Sequence, residues 1–357
     1  MARLLAVHAS PHPARIAAPS NPKYLQGATC WDIDAALGVT CIRKANAPMK
    51  SKRPSRVLLI LAVMITCLAW SSARLLWLRL GERAFAISVF GLGLSLGPCL
   101  AAYALVSEVW KQPARRVVLF TGGLSIMAFS LLGAANLDLE GFFMLLFAGT
   151  MGAAIGHTLV TVILGPLLFG RLLCGWGCWR GMVLELLPIR RSPGRRQGGW
   201  EFLPLAGFSA SVGGAALSFF VLGHHPGGAP GSLHAASVAA IACAFGIYYV
   251  ASIGLAFALH DQRAFCKYLC PNSAILRLTS RLSLLKMAAS RQLCDACGAC
   301  SRACPMDIDV AHLAAMGGSI TSGECILCQR CAHVCPTGAI RVRFGVGSRR
   351  ERLPFVL

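Results

Sequence analysis

Charge is scarce in this chain, and acid is scarcer still. Only 13% of its 357 residues are charged, about half the share that soluble domains carry. No Lys or Arg occurs from 117 to 170, or again from 197 to 262. Each window is long enough for two bilayer crossings of about 20 residues. A soluble globular body is thereby excluded. With 56% hydrophobic residues and a mean hydropathy of +0.63, the composition is that of an α-helical integral membrane protein. The chain also lacks the continuous apolar run of a signal peptide near its start. Residues 1–55 are Ala/Pro-rich and basic, and are expected to be unstructured, with Met49 a natural start for the membrane domain.

What is present is base, in blocks. Thirty-four Lys/Arg face 14 Asp/Glu, for a net charge of +20. In a soluble protein this would suggest nucleic acid. Here the blocks alternate with uncharged runs, the pattern of cytoplasmic loops, so the expected surroundings are membrane lipid and no nucleic acid. Turn signals at 136–140 and 223–232 split the two windows into hairpins. The spans expected are 57–73, 84–107, 117–135, 141–168, 203–223 and 236–259. Thirty-one of the 34 basic residues fall on one side of such a six-span arrangement; the other three are Arg74, Arg79 and Arg83. The positive-inside rule then places both termini in the cytoplasm.

The domains expected are the N-terminal segment 1–55, a first hairpin 56–116, duplicated hairpins 117–290, a Cys-rich domain 291–345 and a basic tail 346–357. Seventeen cysteines is too many for packing alone, and disulfide frameworks belong to small secreted chains. The stretch CDACGACSRACP (294–305) spaces four thiols as C-x2-C-x2-C-x3-C-P, and the run recurs 31 residues later at 325–336. This doubled run is the bacterial two-cluster ferredoxin pattern, in which the fourth Cys serves the other cluster. It assigns one [4Fe–4S] cluster to Cys294, Cys297, Cys300 and Cys335. The other falls to Cys304, Cys325, Cys328 and Cys331. Zinc is disfavoured, because zinc sites use well-separated ligand pairs. The fold expected of 291–345 is the α+β two-cluster ferredoxin.

Two further pairs stand apart. GRLLCGWGCWRG and QRAFCKYLCPNS align at an offset of 92, so that Arg171 meets Arg263, Cys174 meets Cys266, Trp176 meets Tyr268 and Cys178 meets Cys270. An i, i+4 spacing puts both thiols of a pair on one helix face. Both pairs are expected just inside the cytoplasmic surface. There the four thiols could converge as redox pairs, or hold an additional metal or iron–sulfur centre below the ferredoxin. Packing of free thiols is the competing account.

The CGWGC and FCKYLCP segments followed by two ferredoxin runs resemble the membrane ferredoxins of the NapH/NosR/CcoG type over residues 117–340. The resemblance implies a multi-span electron-transfer protein of the bacterial inner membrane. It would pass electrons between a quinone pool or cytoplasmic donor and a redox partner such as a cytochrome, a reductase or a maturation factor. The family pattern is CxxxCP at both pairs; Trp179 stands where the first proline would be. Relatives of the NosR kind add a flavin domain outside the membrane, and no segment here has room for one.

Other classes fit the residues less well. A permease with a regulatory iron–sulfur tail needs ionisable residues inside the membrane, and between 117 and 259 His157 is the lone mid-span candidate. An iron–sulfur sensor would not require the membrane-side pairs. A copper reductase finds no Met/His-rich tract. His157 itself reads either as a proton acceptor, for instance at a quinol site, or as a neutral histidine bonded to a neighbouring helix.

Overall fold

The computed structural model describes residues 105–345 apart from 134, 151–152, 190–191, 197 and 224–231, with isolated residues between 63 and 103. The expected N-terminal segment, the basic tail and most of the first two spans lie outside the described residues.

Among the described residues, three helices are long and apolar enough to cross a membrane: Glu108–Leu132, Leu203–Phe220 and Ser237–Leu259. The regular α-helical part of the first, α1, is Lys111–Leu132. Pro113 stands in its opening turn, where a missing N–H costs nothing. The expected span at 141–168 is not one helix, which corrects the sequence reading. It breaks into α2 (Leu139–Phe147) and a second stretch running Ala153–Thr158, Leu159–Leu164, Gly165–Phe169. The break falls at Gly149, whose φ of +64° is open to glycine but costly for other residues. The middle six residues of the second stretch form a π-helix just ahead of Pro166, which has no N–H to continue the α pattern.

The two thiol segments are alike in build. Cys174 lies on the short helix Leu172–Trp176, and Cys178 is the extended residue just ahead of Trp179–Leu184. Cys266 lies on Ala264–Tyr268, and Cys270 falls between it and Asn272–Thr279. The helix thus breaks between the thiols of each pair and they do not share one helix face, which corrects the sequence reading. Between the segments run α3 (Leu203–Phe220) and α4 (Ser232–Leu259).

The Cys-rich tail is a small α+β unit. Its three-stranded antiparallel sheet has the order β2-β1-β3, with β1 Leu285–Ala289, β2 Gly318–Ser319 and β3 Ile340–Phe344. The long pairing runs from Leu285 opposite Phe344 to Ala289 opposite Ile340. Alternate residues of β1 (Leu285, Met287, Ala289) are buried, and with Val310, Ala314, Ile320 and Leu327 they form the tail's core. Burial at period two is what holds this register.

Candidate iron–sulfur site

The two Cys runs fold alike, residue by residue. Ala296 and Leu327 take φ of +56° and +52°, and Gly298 and Gln329 take +72° and +58°. Each pair is offset by the same 31 residues as the cysteines. Left-handed residues alternating with ordinary ones turn successive backbone N–H groups inward, a concavity that suits an anion. Each run then enters a short helix, Ala299–Arg302 or Arg330–His333.

Two cavities result. One, with about 300 Å³ of space between protein atoms, is lined by Cys294, Cys297, Cys300 and Cys335. The other, of about 360 Å³, is lined by Cys304, Cys325, Cys328 and Cys331. Each cavity therefore takes three thiols from one run and the fourth from the other. Burial pushes the Cys304 thiol up to about 11 and the Cys325 thiol to about 12. Ligation must then drive off these protons, so it is coupled to the charge of what binds.

The membrane-side thiols gather against the second cavity. Cys266 and Cys328 are buried in one cluster with Met306 and Ile326, and Cys174, Cys270 and Cys304 pack against it. Cys178 and Cys270 are pushed up to about 11 and 12, by burial first; neighbouring thiols add to this and Arg180 opposes it. Cys178 and Cys270 each have a thiol of the other pair as a neighbour. Among the described residues, no three His, Cys, Asp or Glu side chains stand close enough to hold a single metal ion. A cubane spreads its thiolates over four irons, a wider spacing than the four ligands of one zinc.

The ferredoxin loop 326–329 is clamped to the first thiol segment. Gln112 Nε2 donates to the Cys328 carbonyl at 3.1 Å, and Trp176 Nε1 to the Leu327 carbonyl at 3.0 Å. A Cβ on Gly175 would stand 2.3 Å from the Ile326 carbonyl oxygen, so only glycine permits this approach.

Buried charge surrounds the thiols, and the sequence reading missed most of it. Glu185 accepts from Arg263 at 2.7 Å, Arg330 at 2.6 Å and Arg115 at 3.2 Å. Burial would raise its pKa, but these cations hold the carboxyl well below the usual range. Glu324, beside Cys325, meets Arg171 at 2.6 Å and Arg195 at 3.2 Å. Lys267 is held between Asp261 and Asp307 at 2.7 and 2.6 Å. Arg180 donates to Asp138 at 2.8 Å and lies over the rings of Trp179 and Tyr248. The Nε–H groups of Arg171, Arg180 and Arg263 are buried without a hydrogen-bond partner. Three buried cations with donors to spare beside four thiols suit a negatively charged centre.

His157 is half-buried, and among the described residues its ring enters no hydrogen bond or ion pair. It is not the only ionisable group at mid-helix level, which corrects the sequence reading. The start of α2 brings Glu140 to Ser211 and Tyr248. Ser211 lies near the middle of α3, and Tyr248 at the centre of the span Ser237–Leu259.

Comparison with known proteins agrees on the cysteine chemistry. A family model described as a 4Fe–4S dicluster domain matches residues 293–340. A second, described as a 4Fe–4S binding domain, matches twice, at 151–196 and 244–288, once on each thiol segment. An uncharacterized protein of Methanocaldococcus jannaschii is 36% identical over 76 residues, 21% of this chain and 28% of its own length. The putative electron transport protein YccM of Escherichia coli is 33% identical over 81 residues, covering 23% of this chain and 22% of YccM. The methylamine utilization ferredoxin-type protein MauN of Paracoccus denitrificans is 40% identical over 68 residues, 18% and 24% of the two chains. The chain thus spans about a quarter of the length of these relatives. No solved structure matches. The chain carries a C-terminal 4Fe–4S domain of ferredoxin type, and ahead of it a segment, present twice, that matches a 4Fe–4S binding model, in a fold whose described residues include three helices long and apolar enough to cross a membrane.

Proposed function

We propose that the chain is a membrane-bound electron carrier of the NapH/NosR/CcoG type. It relays electrons between a quinone pool or cytoplasmic donor and a redox protein partner in or beyond the bacterial inner membrane. The observation that carries this reading is the packing of Cys174, Cys266 and Cys270 into one cluster with Cys304 and Cys328. Thiols of both segments and of the second ferredoxin cavity thus share one buried cluster. The names of YccM and MauN are consistent with electron transport. The basic blocks argue for six spans with the ferredoxin domain and both termini in the cytoplasm.

Cys294, Cys297, Cys300 and Cys335 would hold one [4Fe–4S] cluster, and Cys304, Cys325, Cys328 and Cys331 the other. Cys174, Cys178, Cys266 and Cys270 would hold a third iron–sulfur centre. Such clusters supply one-electron chemistry, at potentials set by the charge, hydrogen bonds and burial around their sulfurs. Here Arg171, Arg180 and Arg263 keep positive charge at the four thiols. Phe265, Ile326 and Met306 exclude water between them and the second cavity.

The test is an anaerobic preparation of the full-length protein. Cys266→Ser should remove about a third of the bound iron and one component of a redox titration, with both dicluster signals retained. Iron content and a titration unchanged in the Cys174→Ser/Cys266→Ser protein would reduce these residues to packing.

A further inference from the structure

We infer that the exposed rim of the cavity lined by Cys294, Cys297, Cys300 and Cys335 docks a small, acidic electron-carrier protein. This rests on the electron-transfer reading above and gives it a partner class and a docking face. The two Cys runs share a backbone form but differ in what holds them. The second is tied to the helices throughout. Gln112 donates to the Cys328 carbonyl, Trp176 to the Leu327 carbonyl, and Tyr103 Oη to Gln329 Oε1 at 3.4 Å. Arg330 pairs with Glu185, and Glu324 beside the run pairs with Arg171. Among the described residues, 291–303 form no hydrogen bond or ion pair with any residue before 285; their side-chain bonds stay inside the Cys-rich domain.

That leaves the first run open at the surface. Cys297 is exposed, and so are Ala296 and Pro336; Leu293 is 45% exposed. Three arginines stand around these apolar residues. Cys294 N donates to the Arg291 carbonyl at 3.3 Å. A Cβ on Gly298, which lines the cavity, would lie 3.1 Å from Arg302 Nη1. Arg341 Nε donates to the Gly338 carbonyl at 3.3 Å, next to Ala339 and Ile340 of the cavity wall. All three arginines are exposed and enter no ion pair among the described residues. The two acids nearby serve the chain's own N–H groups. Asp295 accepts from Cys297 N at 3.4 Å, and Asp309 from His312 N at 3.2 Å.

An apolar centre with a charged rim is the build of a protein-docking patch. Its complement is an apolar redox edge ringed by carboxylates. Exposed charges at a rim add little to final affinity, but they steer the encounter and speed it. That suits a carrier that must arrive, exchange one electron and leave. The exchange needs no bond and no proton. The reduced carrier loses one electron, and the cluster held by Cys294, Cys297, Cys300 and Cys335 gains it. The second run, clamped to the thiol segments, then stands between this entry and the membrane.

The experiment measures binding of a flavodoxin, a small acidic flavin protein, to the full-length protein in nanodiscs of uncharged lipid. The wild-type association rate should fall as salt rises. Arg302→Glu should slow association at low salt by about tenfold. Arg281→Glu makes the same charge change beside Gly323, outside the cavity rim, and should slow association no more than about twofold. Arg302 lies inside the first run, so Arg291→Gln/Arg341→Gln, which leaves the run intact, should slow association in the same direction. Electron delivery from reduced flavodoxin should fall with binding in these rim variants, while reduction by photoreduced deazaflavin, a small donor that needs no docking face, stays at the wild-type rate. A wild type that does not bind flavodoxin, or binds it without taking an electron, overturns the proposal. So do rim variants that associate as fast as wild type. An Arg281→Glu loss equal to that of Arg302→Glu assigns the steering to the chain's net charge and overturns it too. Binding is read without electron transfer, so the two readings fail separately: a wild type that binds flavodoxin but shows no dicluster signal overturns the electron-transfer reading itself.

Discussion

Arg263 of the second thiol segment donates to Glu185 of the first at 2.7 Å, with both side chains buried. The mirror of this pair would join Arg171 to residue 277, since Arg171 answers to Arg263 across the 92-residue repeat. But residue 277 is an arginine, and the acid is supplied by Glu324 of the ferredoxin loop, 2.6 Å from Arg171 and also paired with Arg277. The repeat lacks one carboxylate, and the Cys-rich domain brings it. Docking of that domain is thus written into the charge balance of the helices beneath it.

Glu324→Gln should therefore loosen the ferredoxin domain more than a surface mutation could. Removing one partner of a buried pair costs about 3–5 kcal/mol, because the other charge is left uncompensated. Limited proteolysis should cut between 283 and 295 faster in the variant. Glu324→Asp should recover part of the protection.

Glu185 gives a pH signature. Its carboxyl is held far below the usual range, so its contribution is fully present above the unfolded carboxylate pKa of about 4.3 and fades as pH falls toward the folded value. Glu185→Gln should lower the thermal midpoint by a constant amount between pH 5 and 8, with a cost of about 3–5 kcal/mol. The gap from wild type should narrow below about pH 4. A gap that is equally wide in acid would mean that the ion pairs are not its source.

Both ferredoxin runs, the 92-residue repeat and the apolar windows were legible in the sequence, because each is a local spacing. What was not legible is what long-range folding assembles. Asp138 and Glu140 look like part of a hairpin turn. In the fold Asp138 meets Arg180, and Glu140 meets Ser211 and Tyr248 near the middle of α3 and α4. Gly149 was a visible sign of the break, hidden among the apolar residues on both sides. The role of Glu324 could be read only once Arg171 and Arg277 were known to meet.

Crossed ligation separates the two cavities by mutation. Cys304 follows the first run but lines the second cavity. Cys304→Ala should abolish the signal of the cluster bound by the second run and leave that of Cys294, Cys297 and Cys300. Loss of the first run's signal alone would mean that each run holds its own cluster.

Gly175→Ala tests the contact between thiol segment and ferredoxin loop. The new methyl must displace the Ile326 carbonyl from 2.3 Å, and with it the loop held by Trp176 and Gln112. The spectrum of the second cluster should broaden or shift, and that of the first should not. Two unchanged spectra would show that the loop yields without disturbing Cys325 and Cys328.

Trp179 stands where the resembling family has proline, and the backbone there would accept one. It is the first residue of the helix Trp179–Leu184, preceded by Cys178 in extended conformation (φ −74°, ψ 124°). Proline is favoured at a first helical position and asks for an extended residue before it. What proline could not replace is the ring. The indole meets Phe245 at 4.5 Å and Tyr249 at 5.2 Å, and carries the Arg180 guanidinium 4.3 Å over its face. Its Cα also lies within 2.9 Å of where a Cβ on Gly123 would stand, so α1 is seated against it. Trp179→Ala should cost about 3–5 kcal/mol, as large-to-small changes at buried aromatics do. Trp179→Pro should cost no more than Trp179→Ala if the side chain is what matters. A proline variant much less stable than the alanine variant would instead place the constraint in the backbone N–H of residue 179. The departure from the CxxxCP pattern would then be a change of backbone geometry at Cys178, where now it reads as a change of packing around Arg180.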